Sequence, residues 1–259
     1  MKIAMVGFGK MGHMIAKAAE ARGHTLVCTV DIAAPDATCI TADAATMVAA
    51  IKKSGVEGVI EFSHPSSVFG NISALIPTGL PLVVGTTGWH DKIDFIRSLV
   101  DQHKSSFLYS SNFSVGVNLF YRMVADAAKL MAAFEEYDVA LIEAHHNQKA
   151  DSPSGTGLEL AKRVMENFPR KTKLVTDAFT RRPLPEELHL ASLRVGTVPG
   201  THTVFFDSGA DSIELTHTAR NREGFALGAV CALEWLAAPA SVAQRKQGVY
   251  TMNDVFADL

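Results

Sequence analysis

Lys2-Ile3-Ala4-Met5-Val6-Gly7-Phe8-Gly9-Lys10-Met11-Gly12 joins a short apolar run to a glycine-rich turn. Met14 to Arg22 then carries apolar residues at helical spacing, and Gly23 stops it. Leu26 to Val30 is a second apolar run, and Asp31 ends it. Strand, glycine turn, helix, strand and acid follow in the order a dinucleotide site requires. Each glycine has a separate task. Gly7 permits the tight turn, Gly9 lets a pyrophosphate approach the backbone, and Gly12 lets the helix pack on the strand. Asp31, about twenty residues beyond the turn, is placed to accept from ribose hydroxyls. Phe8, Lys10 and Met11 belong to the same turn and are expected at the cofactor with it.

The alternation continues downstream. Asp43 is a cap for a helix running to Lys53, and Val59 to Phe62 is the next buried strand. Pro65 fits the first turn of a helix ending near Ile76. Leu82 to Val84 is a strand that ends in Gly85-Thr86-Thr87-Gly88. A helix from Asp91 to His103 and a strand from Phe107 to Tyr109 follow, with Ser110-Ser111-Asn112-Phe113 after them. Short apolar runs alternating with amphipathic helices predict an α/β fold with a Rossmann-type, doubly wound parallel sheet. Ligands of such sheets sit at the C-terminal ends of the strands. Phe62, Gly85, Thr86, Thr87, Ser110, Ser111, Asn112 and Phe113 are therefore expected near a cofactor, although these turns also read as plain βα loops.

Beyond Phe113 the texture changes. Val115 to Phe134 predicts a long helix, Tyr137 to His146 a strand, and Ser154 to Phe168 another helix. Pro169 to His189 reads as a long polar loop with no assignable role. Leu190–Val195, His202–Phe206 and Ile213–Thr218 read as an antiparallel meander, so the second domain is expected to be α+β with a mostly antiparallel sheet. Glu223 to Ala237 is a closing amphipathic helix.

With 47% apolar residues in 259, a sizeable core needs no staples. A formal charge of −3 gives no reason to expect nucleic acid. Cys28, Cys39 and Cys231 lack CxxC spacing and read as reduced packing residues of a cytoplasmic protein. No secretory signal pattern appears, and no apolar run approaches the roughly 18 residues of a membrane span.

The densest chemistry lies in Glu143-Ala144-His145-His146-Asn147-Gln148-Lys149-Ala150-Asp151-Ser152-Pro153-Ser154-Gly155-Thr156-Gly157. Adjacent histidines on a strand point to opposite faces, so only one is expected to meet a given ligand. That arrangement and the nearby Lys149 argue against a metal, and none is expected. A histidine serves as general acid or base near neutrality, and a lysine stabilises developing negative charge. Ser154-Gly155-Thr156 reads as a helix start, which either caps the helix or docks an anion. Glu143 is placed to orient a neighbour and to favour a charged imidazole. The expected guest is a small carboxylate whose reaction consumes a proton.

Glu-x-His-His-x-x-Lys-x-Asp-x-Pro-Ser-Gly-Thr resembles the signature of the dihydrodipicolinate (4-hydroxy-tetrahydrodipicolinate) reductases. Asn112-Phe113-Ser114-Val115-Gly116-Val117-Asn118, Gly200-x-His202-Thr203 and Gly248-x-Tyr250 support the likeness along almost the whole chain. It implies NADH- or NADPH-dependent reduction of 4-hydroxy-tetrahydrodipicolinate with loss of water, in lysine and diaminopimelate biosynthesis. It implies a nucleotide domain of residues 1–113 and 223–259. Residues 114–222 would form a substrate domain whose sheet assembles a homotetramer. It assigns His145 as general acid with Lys149 assisting, and His146, Ser154, Gly155, Thr156 and Arg222 as substrate-binding, with Arg220 the rival for the last role. The family usually carries alanine at the positions of Ser152 and Gly157, and neither change is expected to cost activity. Asp31 followed by Ile32-Ala33-Ala34, with no basic residue, favours NADH. Lys10 keeps NADPH open. Another Rossmann dehydrogenase would lack the His-His-x-x-Lys run, and a nicotinamide-sensing regulator would need a basic reading helix that is not visible.

Overall fold

The structure, a computed structural model, describes residues 1–238 and 246–257. The chain divides into two compact units, Met1–Val115 with Arg222–Leu259, and Gly116–Asn221.

The first unit is built on a seven-stranded parallel sheet. Its strands are β1 (Lys2–Val6), β2 (Thr25–Asp31), β3 (Cys39–Ile40), β4 (Gly58–Glu61), β5 (Leu82–Val84), β6 (Ser106–Tyr109) and β12 (Gly248–Tyr250), in the order β12-β6-β5-β4-β1-β2-β3. Progression reverses at the β4–β1 boundary, which opens a crevice at the strand ends there. Alternation along β1 feeds two cores. Ala4 and Val6 pack with α2 (Ala44–Lys53), α3 (Val68–Leu75) and α4 (Ile93–His103). Ile3 and Met5 pack with α1 (Lys10–Ala21), α7 (Glu223–Leu236) and α8 (Met252–Val255). The predicted cap at Asp43 is present, its carboxylate accepting from the Thr46 N–H at 2.7 Å. The helix predicted from Pro65 instead starts after Ser67, because His64 to Ser67 folds as a separate turn.

The second unit has a five-stranded sheet, β11 (Ser212–Thr218), β10 (Thr201–Asp207), β7 (Asp138–His145), β9 (Glu187–Arg194) and β8 (Lys173–Val175), in that order. α5 (Val115–Met131) and α6 (Gly155–Asn167) share its core. Two sequence expectations need correction. The sheet is mixed: β10 runs antiparallel to β7 and β11, but β9 runs parallel to both β7 and β8. α6 carries the chain back across the sheet, so the following strand enters in the same direction as β7. The presumed 169–189 loop also contains β8 and the start of β9. Three residues of β8 are too few to show a period.

Gly228 in α7 is where the helix meets the backbone. A Cβ there would lie 1.7 Å from the Phe113 carbonyl oxygen, whereas Gly70, exposed in α3, has nothing within 4 Å. Gly228→Ala should therefore lose about 3 kcal/mol of stability by overpacking, and Gly70→Ala should gain about 0.5 to 1 kcal/mol. Denaturant midpoints of the two variants test the contrast.

Candidate active site

In the first unit the glycine turn divides its tasks by geometry. Gly7 has φ +88°, and a Cβ on it would strike the Phe62 carbonyl oxygen at 2.2 Å. A Cβ on Gly12 would sit 2.4 Å from the Gly7 oxygen, while Gly9 has nothing within 4 Å. Gly9 is also the residue before α1, whose first turn has no side-chain cap. Open space over an uncapped helix start fits a pyrophosphate. Asp31 lies beside it and is ionised. Burial opposes the charge, but N–H groups of Ala33, Phe8, Ala34 and Ile32 hold its pKa below the ordinary carboxylate value. The Phe8 N–H donates to Oδ2 at 2.7 Å, and those of Ala33 and Ala34 to Oδ1 at 2.9 and 3.0 Å. A cleft of about 290 Å³ runs past Gly7, Gly9, Asp31, Ile32, Asp43 and Phe62. Lys10, Met11, Gly85, Thr86 and Thr87 line an adjoining groove. Phe62 lies over Gly85, where a Cβ would come within 2.1 Å of its ring, and its centroid is 5.5 Å from that of Phe113. Phe113 is core, 2% exposed, so of its turn Ser111 is the exposed member and Ser110 and Asn112 are half-buried.

Glu61, at the end of β4, carries no sequence signal of function. It is fully buried, and burial pushes its carboxyl pKa up despite bonds to Ser63 and Asn71. It underlies the turns that carry Phe62 and Ser63.

In the second unit β7 alternates strictly, with Val139, Leu141, Glu143 and His145 on the buried face. His145 is 7% exposed, and His146, just past the strand, is half-exposed. The pair is thus split as the strand period requires. Glu143 has no exposed surface and is crowded with donors. The Ser154 N–H donates to Oε1 at 2.9 Å, Ser192 Oγ at 3.0 Å and Arg194 Nη2 at 3.1 Å. The Ser154 hydroxyl donates to Oε2 and accepts from the Gly157 N–H at 3.0 Å. Burial works against the charge, but these donors and His202 drive the Glu143 pKa far below the ordinary value, so the carboxylate stays ionised. This qualifies the expectation for Ser154: its hydroxyl and its N–H are both committed to Glu143. Of the two residues that follow, Gly155 is exposed and Thr156 half-buried.

Two imidazoles flank the same carboxylate. His145 Nδ1 is 3.8 Å from Oε1, and His202 Nε2 is 3.5 Å from Oε2. Their rings meet edge to face, with centroids 5.1 Å apart. Burial lowers the His145 pKa to about 4, because the pull of Glu143 is outweighed once His202, Lys149 and Arg194 also act against protonation. At pH 7 His145 is therefore neutral in this setting. Lys149 pairs with Asp151 at 2.7 Å. Ligand-type atoms of Glu143, His145 and His202 lie within 4.8 Å of one another, the spacing of a metal centre. The carboxylate is already engaged by two hydroxyls, an N–H and a guanidinium, which disfavours a cation there. His202, Arg194 and Ser192 were not assigned roles from sequence. Only the Gly200-x-His202-Thr203 motif marked one of them, whereas Arg194 and Ser192 reach the site through strand pairing. Arg222 is the residue preceding α7 in the first unit and Arg220 follows β11 in the second; both are exposed.

Comparison with known proteins agrees over the full length. Residues 1–113 match the description "Dihydrodipicolinate reductase, N-terminus", and residues 116–256 match "Dihydrodipicolinate reductase, C-terminus". A 4-hydroxy-tetrahydrodipicolinate reductase of Christiangramia forsetii is 38% identical over 100% of this chain and 99% of its own. One of Archaeoglobus fulgidus is 35% identical over 98% and 99%. Among solved structures, a dipicolinate-bound dihydrodipicolinate reductase from Paenisporosarcina sp. TG-14 superposes with a TM-score of 0.77 at 21% identity, covering 99% of each chain, which supports the fold. The chain belongs to the dihydrodipicolinate reductase family.

Proposed function

We propose that this member of the dihydrodipicolinate reductase family reduces 4-hydroxy-tetrahydrodipicolinate to tetrahydrodipicolinate, with the proton delivered by His145. The family's oxidoreductase activity in lysine and diaminopimelate biosynthesis supplies the reaction; the residue roles are our reading. The observation that carries it is a buried imidazole facing a fixed carboxylate, beside a lysine and a helix start. The nucleotide cofactor, held by the Gly7–Gly12 turn and Asp31, supplies a hydride when bound. His145 donates a proton where negative charge develops, and Lys149 stabilises that charge. Gly155 and Thr156 at the start of α6 receive one carboxylate. His146 and a basic side chain, Arg222 with Arg220 as its rival, receive the other.

The neutrality of free His145 has a consequence. A bound dianion favours the imidazolium, so substrate binding charges the acid that will act on it. Asp31 and Asp43, both on the nucleotide cleft and without a basic residue after Asp31, favour NADH by repelling a 2′-phosphate. Lys10 leaves some use of NADPH.

The second unit's sheet carries Ala140, Ile142 and Ala144 on the face away from its core, with Phe205 and Leu193 beside Ala140 and Ala144 in register. Leu193 is 50% exposed. This apolar face supports the homotetramer implied by family resemblance. None of the described helices is long and apolar enough to cross a membrane, and we place the enzyme in the cytoplasm.

His145→Gln should lower kcat by about 100-fold or more and leave KM for NADH nearly unchanged; steady-state NADH oxidation with freshly generated substrate measures both. Dipicolinate binding at pH 7 should take up a proton, so its affinity should rise as pH falls from 7 toward 5. His145→Gln should abolish the uptake. Calorimetry in buffers of different ionisation enthalpy reads it directly, and binding without uptake would contradict the coupling. kcat/KM should be higher with NADH than with NADPH, and Ala33→Arg should narrow that ratio by about tenfold; comparing both cofactors on both proteins decides it.

A further inference from the structure

Glu143, Ser192, His202 and His217 stand in one row across the second sheet. Strand register sets Ser192 and His202 directly opposite Glu143, and His217 opposite His202. His145 lies one step further along β7 on the same face. At the level of Glu143 the row is roofed by the start of α6. A Cβ on Gly157 would come within 2.6 Å of Glu143 Oε2, so this glycine leaves room for the carboxylate.

The charges around His145 are unequal. From β9 comes Arg194, from β10 His202, and from the loop after β7 Lys149; each opposes a proton on the ring. Glu143 is the one group among these named neighbours that favours it. Its bonds to Ser154, Ser192 and Arg194 fix both its position and its charge, so it is a stationary anion and takes no proton itself. Nδ1 of His145 is buried, has no hydrogen-bond partner among the described residues, and lies 3.8 Å from this anion. His202 Nε2 lies 3.5 Å from the other oxygen, and its ring stands at 73° to that of His145.

We propose that Glu143 and His202 are positioning residues for the acid: Glu143 receives Nδ1–H when His145 becomes charged, which leaves Nε2–H as the proton that is transferred, and His202 braces the ring in that orientation. This rests on the reading of His145 as general acid. It requires no new reactant, because the proton gained at His145 on substrate binding is the one passed to the substrate.

The test is a double-mutant cycle in the full-length enzyme under saturating NADH. Glu143→Gln keeps the shape and removes the charge. It should lower kcat by about 30-fold or more, leave KM for NADH unchanged, and move the alkaline limb of the kcat profile to lower pH by about one unit or more. In a His145→Gln background the same change should alter kcat less than about twofold, because the pair acts as a unit. His202→Gln should show a smaller loss with the same dependence on His145. If Glu143→Gln does not fold, Glu143→Asp keeps the charge but withdraws it from Nδ1, and it should lower kcat severalfold with a shift of the profile in the same direction.

Equal losses in both backgrounds would make Glu143 merely structural and overturn the proposal. A full-rate Glu143→Gln enzyme beside a slow His145→Gln enzyme would overturn it alone. A full-rate His145→Gln enzyme would overturn it together with the general-acid reading. An unshifted profile in Glu143→Asp would also count against it.

Discussion

A carboxylate with no solvent contact must have its charge answered by the protein, and at Glu143 this requirement ties four elements together. Ser154 comes from the start of α6, Ser192 and Arg194 from β9, and His202 from β10. Removing one partner of such a buried ionic group costs several kcal/mol, so the register of the sheet and the docking of α6 are held to a narrow range. A one-residue slip of β7 would turn Glu143 and His145 to the other face together. The same clamp that stabilises the unit therefore fixes where a proton can be held in it.

Much of the first unit was legible because its constraints are local. Gly7 needs positive φ, Gly12 needs an absent Cβ, and Asp31 follows a strand of apolar residues. Each can be read from a few neighbouring residues. The second unit was less legible because its constraints are not local. Arg194 and Ser192 join Glu143 only through the parallel pairing of β7 with β9, which a crossover helix imposes and no short pattern reveals. The signature from Glu143 to Thr156 marked the right place but not the division of labour in it. Ser154 reads as an anion dock in sequence, yet its hydroxyl belongs to Glu143. Glu61 was invisible for the same reason, since nothing in its neighbours announces that a strand-end glutamate lies in the core.

Neutral His145 and ionised Glu143 have opposite relations to burial. Both lose solvation, but Glu143 recovers it from hydrogen-bond donors, whereas His145 faces mostly cationic groups. On the reading of His145 as the acid proposed above, a ring neutral at rest and charged by bound substrate releases its proton only when there is something to reduce.

The return of the chain to its first sheet carries a further implication. α7 lies on strands completed more than a hundred residues earlier in the sequence, and β12 extends the same sheet beyond β6. During vectorial synthesis the opening segment leaves the ribosome with Ile3, Met5 and Ile60 lacking the cover of α7 and α8, while residues 116–221 already hold every strand of their own sheet. The later-made half is the one able to mature independently, and the earlier-made half must wait, with an apolar flank in need of shelter, until the tail arrives.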